Sequence, residues 1–211
     1  ANSNIGLYYN TVFLNAIAGG GNFGTAGIYH SNSTTATTAV LDMRNNIVVN
    51  NSVPNGTGKT SAFRRSGANV NLNNYSTLSN NNSFYAGTPG TNNVIFFDGT
   101  NFDQTLSEFK TRVAPRETGS FSENVPFVNN TTAPYDLHVR TDVPTQTEGS
   151  GTPVTTPIAV TNDIDGNIRN VTTPDVGADE FNGMGSDITP PFISYTTLAQ
   201  TTSTSNRNLN A

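Results

Sequence analysis

The chain has 211 residues, a net charge of −5 and only 12% charged residues, about half the usual share. Asn (31) and Thr (32) fill the gap, while 34% hydrophobic content with 12 Phe and 7 Tyr argues for an ordered β-rich fold over disorder. Ten basic residues against fifteen acidic ones leave no stripe for nucleic acid. No apolar run approaches the roughly 20 residues of a membrane-spanning helix, and the absence of Cys excludes disulfides and thiolate metal sites.

Short apolar runs, each flanked by Asn, predict strands within 5–14, 28–30, 40–49, 62–65, 81–87 and 94–97. They begin roughly one to two dozen residues apart, a spacing we read as one strand per structural repeat. Asn at strand ends tolerates left-handed backbone and bonds to nearby peptide groups. Recurring at each repeat, it can also bond to the Asn above and below. Two architectures fit this pattern: a parallel β-helix, whose stacked strands bury faces that one repeat could not bury alone, and a β-sandwich.

Residues 103–113 predict a short helix, with Thr105 and Glu108 as a capping box and Leu106, Phe109 and Val113 on one face; Pro115 stops it. Residues 141–161 are rich in Thr, Pro, Gly and Ser and read as an extended loop. The stretch 183–190 reads as a domain boundary.

Two segments carry a resemblance. Pro126-Phe127-Val128 followed by Leu137, and above all Asp163-Ile164-Asp165-Gly166-Asn167-Ile168-Arg169 with Pro174-Asp175-Val176-Gly177-Ala178-Asp179-Glu180-Phe181, resemble the closing segments of the pectate-lyase-like superfamily of bacterial proteins. The resemblance implies an all-β chain, the C-terminal portion of a right-handed parallel β-helix over residues 1–182 with one short helix. It further implies that 183–211 is a linker and the start of an immunoglobulin-like module, with covalently linked neighbouring domains, in a secreted or cell-surface protein. Gly166, Arg169, Asp175, Gly177, Asp179 and Phe181 are then expected to lock the terminal segment. Arg169 would reach Asp175 or Asp179, and Ile168, Val176 and Phe181 would enter or cover the core.

The chemistry is sparse. Only Asp42 is acidic before Asp98, which argues against a glycoside hydrolase needing paired carboxylates within the first strands. Asp42 and Arg44 alternate onto one strand face, and with Arg64 and Arg65 they are the candidate contacts for a polysaccharide; the competing reading is a surface ion pair. With only His30 and His138, a three-His metal site is impossible, and His30 at a strand end reads as structural. Gly56-Thr57-Gly58-Lys59-Thr60 lacks Walker spacing and reads as a turn.

Asp163, Asp165 and Asn167 around Gly166 resemble the opening of a calcium (Ca2+) loop, although Pro174 stands where the closing Glu belongs. The alternative is a turn locked by side-chain hydrogen bonds. The expectation is therefore a non-catalytic structural or adhesive module touching a polysaccharide or another extracellular matrix or cell-surface component. The alternative is a fragment of a polysaccharide lyase or glycoside hydrolase whose active segments lie upstream.

Overall fold

The computed structural model describes residues 3–17, 19–67, 71–187, 191–192 and 194. The chain is all-β with one helix. Eleven strands are described among these residues: β1 (Asn4–Tyr8), β2 (Thr11–Leu14), β3 (Ala26–His30), β4 (Val40–Arg44), β5 (Ile47–Asn50), β6 (Thr60–Arg65), β7 (Ser83–Tyr85), β8 (Asn93–Phe97), β9 (Phe102–Asp103), β10 (Phe127–Asn129) and β11 (Asp136–Val139). The helix α1 (Leu106–Val113) lies between β9 and β10.

Strands pair in parallel with those of the next repeat, not with their neighbours in sequence. β1 pairs with β4, β2 with β5 and then β7, and β3 with β6 and then β8. Three short parallel sheets result, stacked layer on layer. Bridges from Leu41 to Tyr75 and from Arg44 to Asn80 continue the first sheet into the third layer.

The first two layers therefore carry three strands each, and the one-strand repeat expected from the spacing of the apolar runs is corrected. The predicted runs 5–14 and 40–49 are each two strands, broken at Tyr9 and Asn45. Tyr9, Asn45, Asn81 and Glu117 all have left-handed backbone, with φ of 54, 58, 56 and 60°. Such a residue turns the chain out of one sheet and into the next, which is the reason the apolar run does not continue as one strand.

A column of asparagines follows that corner. The backbone N–H and the Nδ2 of Asn10 donate to Asn46 Oδ1 at 3.0 and 2.9 Å, across 36 residues. Those of Asn46 donate to Asn82 Oδ1 at 2.9 and 2.8 Å, again across 36 residues. Asn82 ends the column by donating its N–H to Ser120 Oγ at 2.9 Å and its Nδ2 to Glu117. Amides at the corner have no sheet partner, and buried ones left unpaired cost about 1–3 kcal/mol each; the column satisfies them from the layer below.

The main core lies between the sheets. Phe63, Phe84 and Phe96 pack with Met43, Leu41, Val48 and Tyr75, and α1 covers this cluster through Phe109 and Val113. Phe109 stacks on Phe96 at 5.5 Å and meets Phe84 edge-on at 5.6 Å. The predicted capping box is present: the Thr105 side chain accepts from Glu108 N, and Glu108 Oε2 accepts from Thr105 N at 2.9 Å. β8 and β9 pair antiparallel, as do β10 and β11.

The terminal segment does not close an end of the stack. It runs along the corner column, because Tyr9, Asn45 and Asn81 present polar groups there. The Tyr9 hydroxyl and Asn45 Nδ2 donate to Thr152 O, at 3.0 and 2.7 Å, and Asn81 Nδ2 donates to Ser150 O at 3.0 Å. Gly177 (φ +104°) sits so close to Ile47 that an added Cβ would lie 2.4 Å from its Cδ1, and its N–H donates to Asn45 O. Most of the expected further module, residues 188–190, 193 and 195–211, lies outside the described residues.

Candidate functional site

The third sheet presents a row of side chains on its outer face. Register aligns Tyr29 of β3 with Arg64 of β6, Arg64 with Phe97 of β8, and Phe97 with Phe102 of β9. Side chains alternate along a strand, so while Phe63 and Arg65 point inward, Arg64 points out. The Arg64 guanidinium lies 5.6 Å from the Tyr29 ring and 5.2 Å from that of Phe97. Lys59 extends the row, its Nζ 4.2 Å from the Phe102 ring and 5.8 Å from Phe97. Tyr29 is 57% exposed and Phe102 37%. Three inter-strand spacings make the row about 14 Å long. Flat aromatic faces alternating with two cations can receive apolar ring faces and anionic groups together.

Arg64 and Arg65, paired in the sequence reading, are separated by that alternation. Arg65 is buried, and donates to His30 Nδ1 at 2.8 Å, Asn74 Oδ1 at 2.7 Å and Asn71 O at 3.1 Å. Burial lowers its pKa to about 10. It is therefore unavailable to a ligand, which corrects its assignment as a candidate contact. His30 is structural as expected. Its Nε2 donates to Ala39 O at 2.8 Å, Nδ1 accepts from Arg65, and burial lowers its basicity.

Asp42 and Arg44 share the outer face of β4 and pair with each other at 2.7 Å. The Tyr8 hydroxyl donates to Asp42 Oδ2 at 2.9 Å, and the Arg44 guanidinium lies over the Tyr8 ring at 4.8 Å. Asp42 and Tyr8 line a groove of about 500 Å³, walled opposite by Pro157 and Ile158. Arg44 also donates to Thr156 O at 2.6 Å, so neither charge is left unpaired.

The signature residues form a hydrogen-bonded lock. Asp163 Oδ1 accepts from the N–H of Asp165 and Asn167, at 2.9 and 2.7 Å. Its Oδ2 accepts from Asn167 Nδ2 and Glu180 N, both at 3.0 Å. Gly166 has φ +90° and turns the loop. These are the bonds of a turn held by its own side chains. Asp175 accepts from Gly149 N at 2.6 Å and Phe181 N at 2.8 Å, and burial pushes its pKa up to about 7.

Arg169 reaches Glu180, at 3.2 Å, and not Asp175 or Asp179. Both of those carboxylates are occupied by backbone N–H groups, Asp179 by Val139 N at 3.0 Å. Arg169 also donates to Gly177 O and Ala178 O, each at 3.0 Å, with its guanidinium 4.0 Å from the Tyr9 ring. Val176 is buried and Phe181 packs on the second cluster with Ile47 and Val49, but Ile168 is 79% exposed, against expectation.

Sequence reasoning missed Glu117. It is fully buried, accepts from the Tyr75 hydroxyl, Asn82 and Ser120, and has its pKa raised by burial. The signal was its place 36 residues after Asn81, in step with Tyr9 and Asn45. No known family model matches the chain, and no curated protein or solved structure matches it.

Proposed function

We propose that the chain is the C-terminal stretch of a right-handed parallel β-helix, secreted or on a bacterial surface, that holds an acidic polysaccharide without cleaving it. The row Tyr29–Arg64–Phe97–Phe102 with Lys59 is the observation that carries this reading. Its aromatic faces suit sugar rings, and its two cations suit uronate or sulfate groups. Parallel layers in register support the β-helix, because each strand's backbone is paired above and below while its side chains alternate between core and surface.

The alternative is a lyase or hydrolase fragment whose active segments lie upstream; a catalytic site within this chain itself would need carboxylates free to act. Those nearest the layers are committed: Asp42 to Arg44 and Tyr8, Asp98 to Thr100 and Asn101, Asp103 to Arg112, and Glu117 to the asparagine column. We assign the chain a structural or adhesive role within a larger exported protein whose further domains begin after residue 183.

Electrophoresis of the chain through gels containing polygalacturonate, alginate or a neutral glucan tests the proposal. Retardation is expected in the two acidic gels, lost with Arg64→Ala and reduced with Tyr29→Ala, while circular dichroism stays unchanged. Release of reducing ends or unsaturated uronates from the same glycans would favour the enzymatic alternative. Equal mobility in every gel would overturn glycan contact.

A further inference from the structure

Three segments distant in sequence bring together one imidazole and two carboxylates. His138 lies on β11, Asp165 in the terminal turn, and Asp179 in the segment that packs on the corner column. Each offers a ligand atom, and these atoms all lie within 4.8 Å of one another. His138 Nε2 is 2.8 Å from Asp165 Oδ2, and its Nδ1 is 2.5 Å from Asp136 Oδ1.

A neutral imidazole has one N–H. Both contacts can be hydrogen bonds only if the ring carries two protons. A metal cation can take the place of the Nε2 proton: Nδ1–H then donates to Asp136, and the Nε2 lone pair faces the metal beside Asp165 and Asp179. A carboxylate behind the ligating histidine is the usual orienting partner of such a site. Asp179 supplies a second observation. It is 8% exposed, one of its oxygens accepts from Val139 N at 3.0 Å, and the other has no hydrogen-bond donor among the described residues.

We propose that His138, Asp165 and Asp179 bind a first-row divalent cation of the zinc class, with Asp136 orienting the imidazole. One nitrogen and two oxygens leave room for a water as fourth ligand. Tetrahedral bonds of about 2.0–2.1 Å put ligand atoms about 3.3 Å apart, within reach of small rotations of the exposed His138 and Asp165 side chains. Calcium takes six to eight oxygens and does not use imidazole, so this site differs from the calcium loop read at Asp163, Asp165 and Asn167, with which it shares Asp165. Bound metal would staple the β10–β11 hairpin to the terminal turn and to the segment beside the corner column. It does not depend on glycan binding, whose row lies on the third sheet.

Chelator-treated full chain, titrated calorimetrically with zinc and by visible spectroscopy with cobalt(II), tests the site. The expected result is one zinc per chain and a tetrahedral cobalt band, with a raised melting temperature in zinc. His138→Gln, an exposed position that leaves circular dichroism unchanged, should abolish the band, and Asp136→Asn should weaken zinc by about 10-fold or more. Absence of zinc binding at millimolar metal would overturn the proposal, leaving a protonated His138 between two carboxylates. Binding that survives both His138→Gln and Asp165→Asn, or a calcium-induced stabilisation that zinc does not match, would overturn it too.

Discussion

The layered region, residues 4–97, and the terminal segment, residues 141–187, are held by opposite means. In the layers, backbone pairs with backbone across steps of 36 residues in the first two sheets and 35 and 33 in the third, and the column Asn10–Asn46–Asn82 repeats the 36-residue step. In the terminal segment almost no strand forms, and backbone N–H groups are satisfied by carboxylates: Asp163, Asp175, Asp179 and Glu180. Repetition stabilises the first region through many equivalent contacts. The second depends on a few ionisable groups, each serving several amides, so single substitutions and pH should act on the two differently.

The largest effect is expected in the layered core. Phe63 touches Tyr75, Phe84, Phe96 and Phe109, and Phe63→Ala should cost about 3–5 kcal/mol in chemical denaturation. In the terminal segment, Arg169→Ala leaves Glu180 without its buried partner and should cost about 3 kcal/mol or more. The pair at Asp42 supplies the contrast, because the Tyr8 hydroxyl still donates to Asp42 when its cation is gone: Arg44→Ala should cost about 1–2 kcal/mol, measured the same way. Asn46→Ala interrupts the column and orphans the Asn10 amide, for a loss of about 1–3 kcal/mol. Asn46→Asp should not restore it, because the carboxylate cannot donate to Leu7 O and Asn82 Oδ1.

Protons should separate the regions with opposite signs. Asp175 binds its proton more tightly folded than unfolded, so its contribution to stability is full at low pH and declines as pH rises from about 4 through about 7. His30 binds its proton less tightly folded, so its contribution holds above the usual imidazole range and is lost as pH falls through it. Melting temperatures between pH 4 and 8 should therefore lose part of their alkaline decline with Asp175→Asn and part of their acid decline with His30→Gln. The same profile in both variants would refute this division.

Several features were legible in the sequence because their causes are local. The strand segments, the capping box of α1, the structural role of His30 and the positive-φ Asn at strand ends follow from residue type and near neighbours. The three-strand layer was not legible from apolar spacing, since a strand's partner is set by the 36-residue step and not by the adjacent run. The steps from Asn10 to Asn46 to Asn82 did carry it. For the candidate site, Arg64 was readable but its aromatic partners were not, because Tyr29, Phe97 and Phe102 meet only through register. The side of the strand on which Arg65 falls, and the choice of Glu180 over Asp175 by Arg169, depend on packing from distant segments.

The central claim is that stacked parallel layers are tied by a buried asparagine column, and native-state hydrogen exchange at the Asn46 and Asn82 amides tests it most directly. Each of these amides donates to a side-chain oxygen one step onward, Asn82 Oδ1 and Ser120 Oγ. The account predicts that both exchange only through global unfolding, with protection that falls with denaturant as steeply as that of the Val48 and Phe63 amides. Exchange at the rate of an open turn, independent of denaturant, would contradict it.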